Sequence, residues 1–74
     1  MTIYREEMVK NLKKEYPEGT RVKLVRMVDD PRPVASGTLG TVKYVDDAGT
    51  IHVNWDNGRT LGVVYGEDQI TVVK

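Results

Sequence analysis

The sequence contains no cysteine and only one histidine among its 74 residues. The lack of cysteine excludes a disulfide framework, a thiolate zinc site and a cysteine nucleophile. A single histidine without spaced partners gives no recognisable set of metal ligands. No Ser-His-Asp arrangement, phosphate loop or paired-carboxylate site stands out either. We therefore expect a protein that is not an enzyme and that holds no metal or cofactor.

Net charge is also absent, because 11 basic and 11 acidic residues cancel. This balance argues against nonspecific nucleic-acid binding by the whole surface, which requires an excess of positive charge. The neutral total does not exclude a local basic patch. The chain also lacks an apolar run long enough for a signal peptide or a membrane span. Together with the absence of cysteine, this predicts a cytoplasmic protein without membrane contact.

The first element that is present is a helix, predicted from Thr2 to Glu15. Thr2 is a suitable N-cap, and Lys13 and Lys14 complement the helix dipole at the other end. One apolar stripe is formed by Ile3, Met8, Val9, Leu12 and Tyr16. A helix this short is marginal alone in water, so it must dock. Docking on its own domain, as a monomer, is the favoured interpretation, and contact with a partner or second copy is the alternative.

The rest of the chain predicts five strands. Apolar and polar residues alternate from Thr50 to Trp55, which is typical of a strand with one buried face. Asn57-Gly58 follows and is a strong hairpin signal. The apolar phase slips in the first two strands, where a bulge would explain it. The predicted strands are Arg21 to Met27, Thr41 to Val45, Thr50 to Trp55, Thr60 to Tyr65 and Ile70 to Val73.

Five short strands, two tight hairpins and a long first loop predict a mainly β fold. We expect one domain over residues 1–74, with a small SH3-like barrel over 20–74 preceded by the helix. Closure of the sheet would protect the edges of such short strands. The predicted core is Val22, Leu24, Val42, Ile51, Val53, Leu61, Val63 and Ile70.

From Tyr16 onward the chain contains the blocks YPEGTRVKLVRM and HVNWDNG. In these blocks it resembles a family of short proteins from Gram-positive bacteria, their phages and mobile elements, catalogued only as a domain of unknown function. The resemblance implies a small β fold in a mobile-element setting and supplies no activity.

Two broader patterns concern turns and core. Gly37-x-x-Gly40-x-Val42, followed by Val53, resembles the KOW motif, which implies RNA or protein binding. Gly40-Thr41-Val42 with Val53 to Gly58 resembles the mind-bomb-type barrel, which implies peptide binding. Because such patterns mostly specify the fold, they transfer function weakly.

The favoured function is a binding module for a protein or peptide. The loop Asp29 to Ser36 is long, and its two prolines reduce the entropy lost on ordering. Trp55 belongs either to the core or to a surface groove with Tyr44 or Tyr65. The predicted partner-binding residues are Asp29, Asp30, Arg32, Trp55 and Tyr65.

Two other functions are alternatives. A nucleic-acid-binding accessory protein would use Lys23, Lys43 and Arg59, with Arg21 and His52 nearby. A structural or oligomerising subunit would use the N-terminal helix. The acidic pairs Asp29-Asp30 and Asp46-Asp47 are interpreted as turn residues rather than as a cation site.

Overall fold

The N-terminal helix ends where the sequence predicts. The computed structural model describes residues 2–28 and 32–73, the first four of them by backbone alone. Helix α1 spans Thr2–Glu15. Pro17 disfavours helical geometry at the residue before it, and Gly19, at φ 94°, turns the chain toward the sheet. The backbone N–H of Gly19 donates to the carbonyl of Val42 at 2.9 Å, which fixes this connection.

Five antiparallel strands form one sheet in the order β4-β3-β2-β1-β5. The predicted number of strands is confirmed, and the observed bounds differ from the predicted ones by two residues at most. Register shifts between Leu24 and Arg26 and between Val42 and Tyr44 mark the two bulges that the slipped apolar phase indicated. The strands are β1 Arg21–Arg26, β2 Leu39–Val45, β3 Thr50–Trp55, β4 Thr60–Val64 and β5 Gln69–Val72.

The fold is mainly β with one N-terminal helix, as predicted, but the sheet is not closed. Within residues 2–28 and 32–73, β4 and β5 are joined only by an isolated bridge between Tyr65 and Asp68. A side chain replaces the missing ladder at this point, because Asp68 Oδ2 accepts the backbone N–H of Val64 at 3.0 Å. The expectation of full closure is therefore wrong, and β4 and β5 are the edges of the sheet.

The core lies on one face of the sheet and agrees with the predicted set. Six of the eight predicted residues are fully buried, and Leu61 and Ile70 pack against them in partly buried positions. The sequence did not single out Val34 and Val45, which are buried too. The buried hydrophobic residues are Val9, Leu12, Val22, Leu24, Val34, Val42, Val45, Ile51, Val53, Trp55 and Val63.

Helix α1 packs on the β2–β3 hairpin of its own chain. Val9 and Leu12 are buried, and Met8 Cε lies 3.2 Å from the position that a Cβ would take at Gly49. Lys13 Nζ also forms an ion pair with Asp47 Oδ1 at 2.9 Å. The helix thus covers the hairpin, as the docking prediction requires. Ile3 of the predicted stripe lies outside the described side chains. Among the described residues, no helix is long and apolar enough to cross a membrane.

Candidate protein-binding groove

A groove opens at the edge of the sheet, between the end of β4 and the start of β5. Its floor includes the core side chains Ile51, Val63 and Ile70. Its volume is about 370 Å³, within the range of ligand pockets. Because β4 and β5 do not pair along their length, the groove reaches the edge of the core, where Ile70 is partly exposed and Ile51 and Val63 are buried beneath the surface.

Two tyrosines border this groove. Tyr16 comes from the end of α1 and is half-buried, whereas Tyr65 follows β4 and is 55% exposed. Burial raises the pKa of Tyr16, and the nearby Glu15 and Tyr65 raise it further. The Tyr16 hydroxyl therefore stays protonated at neutral pH and can donate a hydrogen bond. A tyrosine offers both apolar ring surface and a polar tip, which suits a binding surface.

Polar side chains form the rim. Arg26 at the end of β1 lies opposite Gln69 of β5, and Glu67 lies in the turn between β4 and β5. None of these three side chains forms a hydrogen bond or an ion pair with another residue of the described chain. They are therefore available to a bound molecule.

Asp68 has a structural role at the same rim. One carboxylate oxygen accepts the backbone N–H of Val28 at 2.8 Å, and the other accepts that of Val64 at 3.0 Å. Asp68 thus ties the start of the β1–β2 loop to the end of β4. This side chain fixes the shape of the groove and is already engaged.

A comparison with known protein families identifies the family of the chain. The family described as Domain of unknown function (DUF4314) matches residues 5–73. The chain belongs to this family. The match runs from α1 through β5, so the whole groove lies within the DUF4314 domain. No curated protein matches the chain.

Of the predicted aromatic pair, the DUF4314 domain brings only Tyr65 to the groove. Trp55 is 3% exposed, and its Nε1 donates to the carbonyl of Leu61 at 3.0 Å. Trp55 and Tyr65 lie at opposite ends of the β3–β4 hairpin, roughly 20 Å apart along the strands. The surface-groove alternative for Trp55 is therefore wrong, and its place is in the core.

The predicted binding loop is only partly described. Asp29 and Asp30 lie outside the described residues. Arg32 is exposed, whereas Val34 is buried in the core, so the second half of the loop is anchored. Arg59 Nη1 donates to the carbonyl of Pro33 at 3.3 Å and links this half to the β3–β4 turn.

The predicted basic residues do not form one cluster. Lys23 lies opposite Leu39, four residues before Lys43 on β2, so about 13 Å of strand separates the two lysines. Arg59 is engaged with the loop as described. Of the residues predicted for nucleic-acid binding, Lys43 lines a small depression together with His52 and Gly62.

Arg21, which was expected near these basic residues, is also paired with a neighbouring side chain. Its guanidinium binds both carboxylate oxygens of Asp56 at 2.9 and 2.7 Å and also donates to Thr41 Oγ1 at 2.9 Å. This pairing raises the pKa of Arg21 and holds that of Asp56 below its ordinary value. Arg21 therefore contributes little free positive charge.

His52 lies on the face of β3 opposite the core, as alternation predicts. Its ring stacks on Tyr44 with centroids 4.4 Å apart, and Nε2 lies 2.8 Å from Asp46 Oδ2. Asp46 also accepts the backbone N–H groups of Ala48 and Thr50, which agrees with its interpretation as a turn residue. These contacts hold the pKa of Asp46 below its ordinary value, the hydrogen bond with His52 contributing most. Across residues 2–28 and 32–73, no group of three or more His, Cys, Asp or Glu side chains is placed to hold a metal ion.

Sequence reasoning assigned six groove residues neither to the site nor to the core: Tyr16, Arg26, Gly66, Glu67, Asp68 and Gln69. Tyr16 was placed in the helix stripe, which is only part of its role. The groove depends on contact between the end of α1 and the β4–β5 turn, about fifty residues later in the chain. No local pattern predicts that meeting. The exposed Tyr65 at a strand end was the one signal available.

Proposed function

We propose that this DUF4314 domain is a non-enzymatic module that binds a segment of another protein in the groove between Tyr16 and Tyr65. The observation that carries the proposal is a groove that reaches the edge of the core, where Ile70 is partly exposed beside the buried Ile51 and Val63, and that is bordered by two tyrosines. A few aromatic residues dominate the binding energy of many protein interfaces, and pockets beside them accept apolar side chains of the partner.

The position of the single histidine supports a non-enzymatic role. Histidine is the side chain best suited to acid–base chemistry near neutral pH. His52 projects from the face of β3 opposite Ile51, whose side chain is part of the groove floor. It is held there between Asp46 and Tyr44. The polar groups that remain at the groove are suited to binding and orientation.

Nucleic-acid binding is the second candidate, and one surface favours it. On the outer face, Lys43 and His52 line a depression of about 120 Å³ beside Gly62, and the exposed Tyr44 stacks on His52. A lysine beside an aromatic ring suits a phosphate and a base. Among the described residues, Lys43 is the one lysine that lines this depression, because Lys23 lies further along the sheet, so the groove is the stronger proposal.

We propose that the protein acts as a monomer in the cytoplasm of a bacterium or in a phage or mobile-element setting. The apolar stripe of α1 is already buried on the β2–β3 hairpin through Val9 and Leu12. This burial leaves little of that stripe for a structural or oligomerising role. The setting comes from the YPEGTRV and HVNWDNG blocks described above.

The proposal can be tested with a library of short random peptides displayed on phage and selected against the whole chain. Selected peptides would be synthesised, labelled with fluorescein and measured by fluorescence anisotropy. Tyr65→Ala should weaken binding about tenfold or more, which corresponds to ~1.4 kcal/mol. The melting temperature should stay nearly unchanged, because Tyr65 is 55% exposed.

Tyr44→Ala is the matched control. Tyr44 is 51% exposed, but it lies on the outer face against His52. Peptide affinity should be unaffected in this variant. If Tyr44→Ala abolishes binding and Tyr65→Ala does not, the groove is not the binding site. Binding of single-stranded DNA or RNA that falls steeply with salt and requires Lys43 would support the second candidate instead.

A further inference from the structure

The groove differs from the rest of the molecule in its charge balance. The whole chain is neutral. At the groove, Glu67 and Asp68 lie at the rim and Glu15 lies beside Tyr16, whereas Arg26 is the one basic residue among the described residues that line it. Negative charge thus exceeds positive charge at this surface, although it does not do so overall.

The acidic groups differ in what they can do. Asp68 is held by the backbone N–H groups of Val28 and Val64. Glu67 has no such partner among the described residues, so its carboxylate is free to pair with a cation. Burial is the main cause of the raised pKa of Tyr16, and the neighbouring Glu15 carboxylate raises it further, so a second acidic group lies near the inner wall.

The tyrosine rings that border the groove also favour a positively charged occupant. The face of a tyrosine ring attracts a lysine ammonium or an arginine guanidinium. Arg26 does not by itself require an acidic partner, because a guanidinium also donates hydrogen bonds to main-chain carbonyl groups. Arg26 and Gln69, side by side at the β1–β5 end, can therefore hold the main chain of an extended segment.

From this arrangement we infer that the groove takes an extended segment of a partner protein in which an aliphatic residue is next to a lysine or arginine. The aliphatic side chain lies on the floor formed by Ile51, Val63 and Ile70, and the basic side chain lies between Tyr65 and Glu67. This inference rests on the proposed function of the groove and specifies the chemistry of its occupant.

The test uses peptides selected from the random library and then synthesised. They should contain lysine or arginine at a fixed spacing from leucine, isoleucine or valine. Replacing that basic residue by glutamine should weaken binding about threefold to tenfold, in line with a cation–π contact and an exposed ion pair. Glu67→Gln should weaken the basic peptide to a similar degree and leave the glutamine peptide unchanged. Glu7→Gln, on the exposed face of α1, is the matched control and should change neither.

Three outcomes would overturn the inference. Selected peptides enriched in Asp or Glu, whose binding is lost in Arg26→Gln and kept in Glu67→Gln, would assign the opposite charge to the occupant. Peptides that bind without any charge preference would show that the floor alone decides binding. In both cases the groove would remain the binding site, since Tyr65→Ala would still weaken affinity. A dimer in sedimentation equilibrium that dissociates in Tyr65→Ala would identify a second copy of this chain as the occupant. The proposed function itself fails if no selected peptide depends on Tyr65.

Discussion

Gly40→Ala tests the strand register that places Trp55 in the core. A Cβ at Gly40 would lie 2.6 Å from Val53 Cγ1 and 2.7 Å from Trp55 Cε3. Both side chains are nearly completely buried, so neither can move aside without disturbing its neighbours. Adding a methyl group to a packed core costs about 1–3 kcal/mol. The reduced entropy of the unfolded chain offsets about 0.4–1 kcal/mol of this.

We therefore expect Gly40→Ala to lower the free energy of unfolding by about 1–2 kcal/mol. For a domain of this size each kcal/mol lowers the melting temperature by about 4–8 °C. Trp55 is the only tryptophan, so urea denaturation followed by its fluorescence reports directly on this part of the core. An unchanged or higher midpoint would refute the packing of Gly40 against these side chains.

A double-mutant cycle with Val53→Ala separates the clash from other effects. Val53→Ala alone should cost about 1–3 kcal/mol, because the lost methyl groups leave a cavity. It also removes the Cγ1 atom that the new methyl group would meet, so the double variant should be more stable than the sum of the single effects predicts. Coupling between contacting residues is typically about 0.5–3 kcal/mol. Additive effects would show that Gly40 does not face Val53.

Two further predictions concern the helix and an ion pair. Leu12→Ala should lower the free energy of unfolding by about 2–4 kcal/mol, because Leu12 is buried against the hairpin, whereas Asn11→Ala on the exposed face should change it by less than about 0.5 kcal/mol. Removing residues 1–15 should also lower the melting temperature while circular dichroism retains the signal of the β-sheet. The Arg21 guanidinium holds the pKa of Asp56 below its ordinary value of 3.8. The stability from this pair is therefore present above that value and is lost as the pH falls through the folded-state pKa. Asp56→Asn should lower the urea midpoint at neutral pH, and its effect should become smaller as the pH is lowered below 3.8 and Asp56 is protonated. An effect that does not change with pH would show that the charge of Asp56 does not matter.

Alternation predicted β3 well because this strand has one buried and one exposed face. The pattern of Ile51, Val53 and Trp55 indicated a buried face, and all three side chains are buried. The Asn57-Gly58 turn was equally local, since Gly58 adopts φ 91° there. In these regions, backbone preference and hydrophobic burial favour the same structure.

The groove could not be predicted in the same way, because its parts come from distant segments. Tyr16 and Tyr65 both border it only because the helix packs on the β2–β3 hairpin and the β4–β5 turn lies at the same end of the sheet. The depth of Trp55 likewise depends on Gly40, which gives space for the indole ring on the neighbouring strand. The alternation placed Trp55 on the buried face of β3 and did not show how far the core extended.

The ion pair between Arg21 and Asp56 could not be predicted either, because its two residues are distant in the chain. Arg21 and Asp56 lie 35 residues apart in the chain. From the sequence, Arg21 was expected near a basic face with Lys23, whereas the sheet places its guanidinium against the carboxylate of Asp56. The burial of Val34 could not be predicted either, because its loop has no hydrophobic periodicity.

The most direct test of the central claim is nuclear magnetic resonance of the labelled chain during titration with a selected peptide. The groove predicts that the largest amide shift changes occur at Tyr16, Val63 and the segment from Tyr65 to Ile70. Changes centred on Lys43, His52 and Gly62 on the outer face, with the groove amides unmoved, would contradict it.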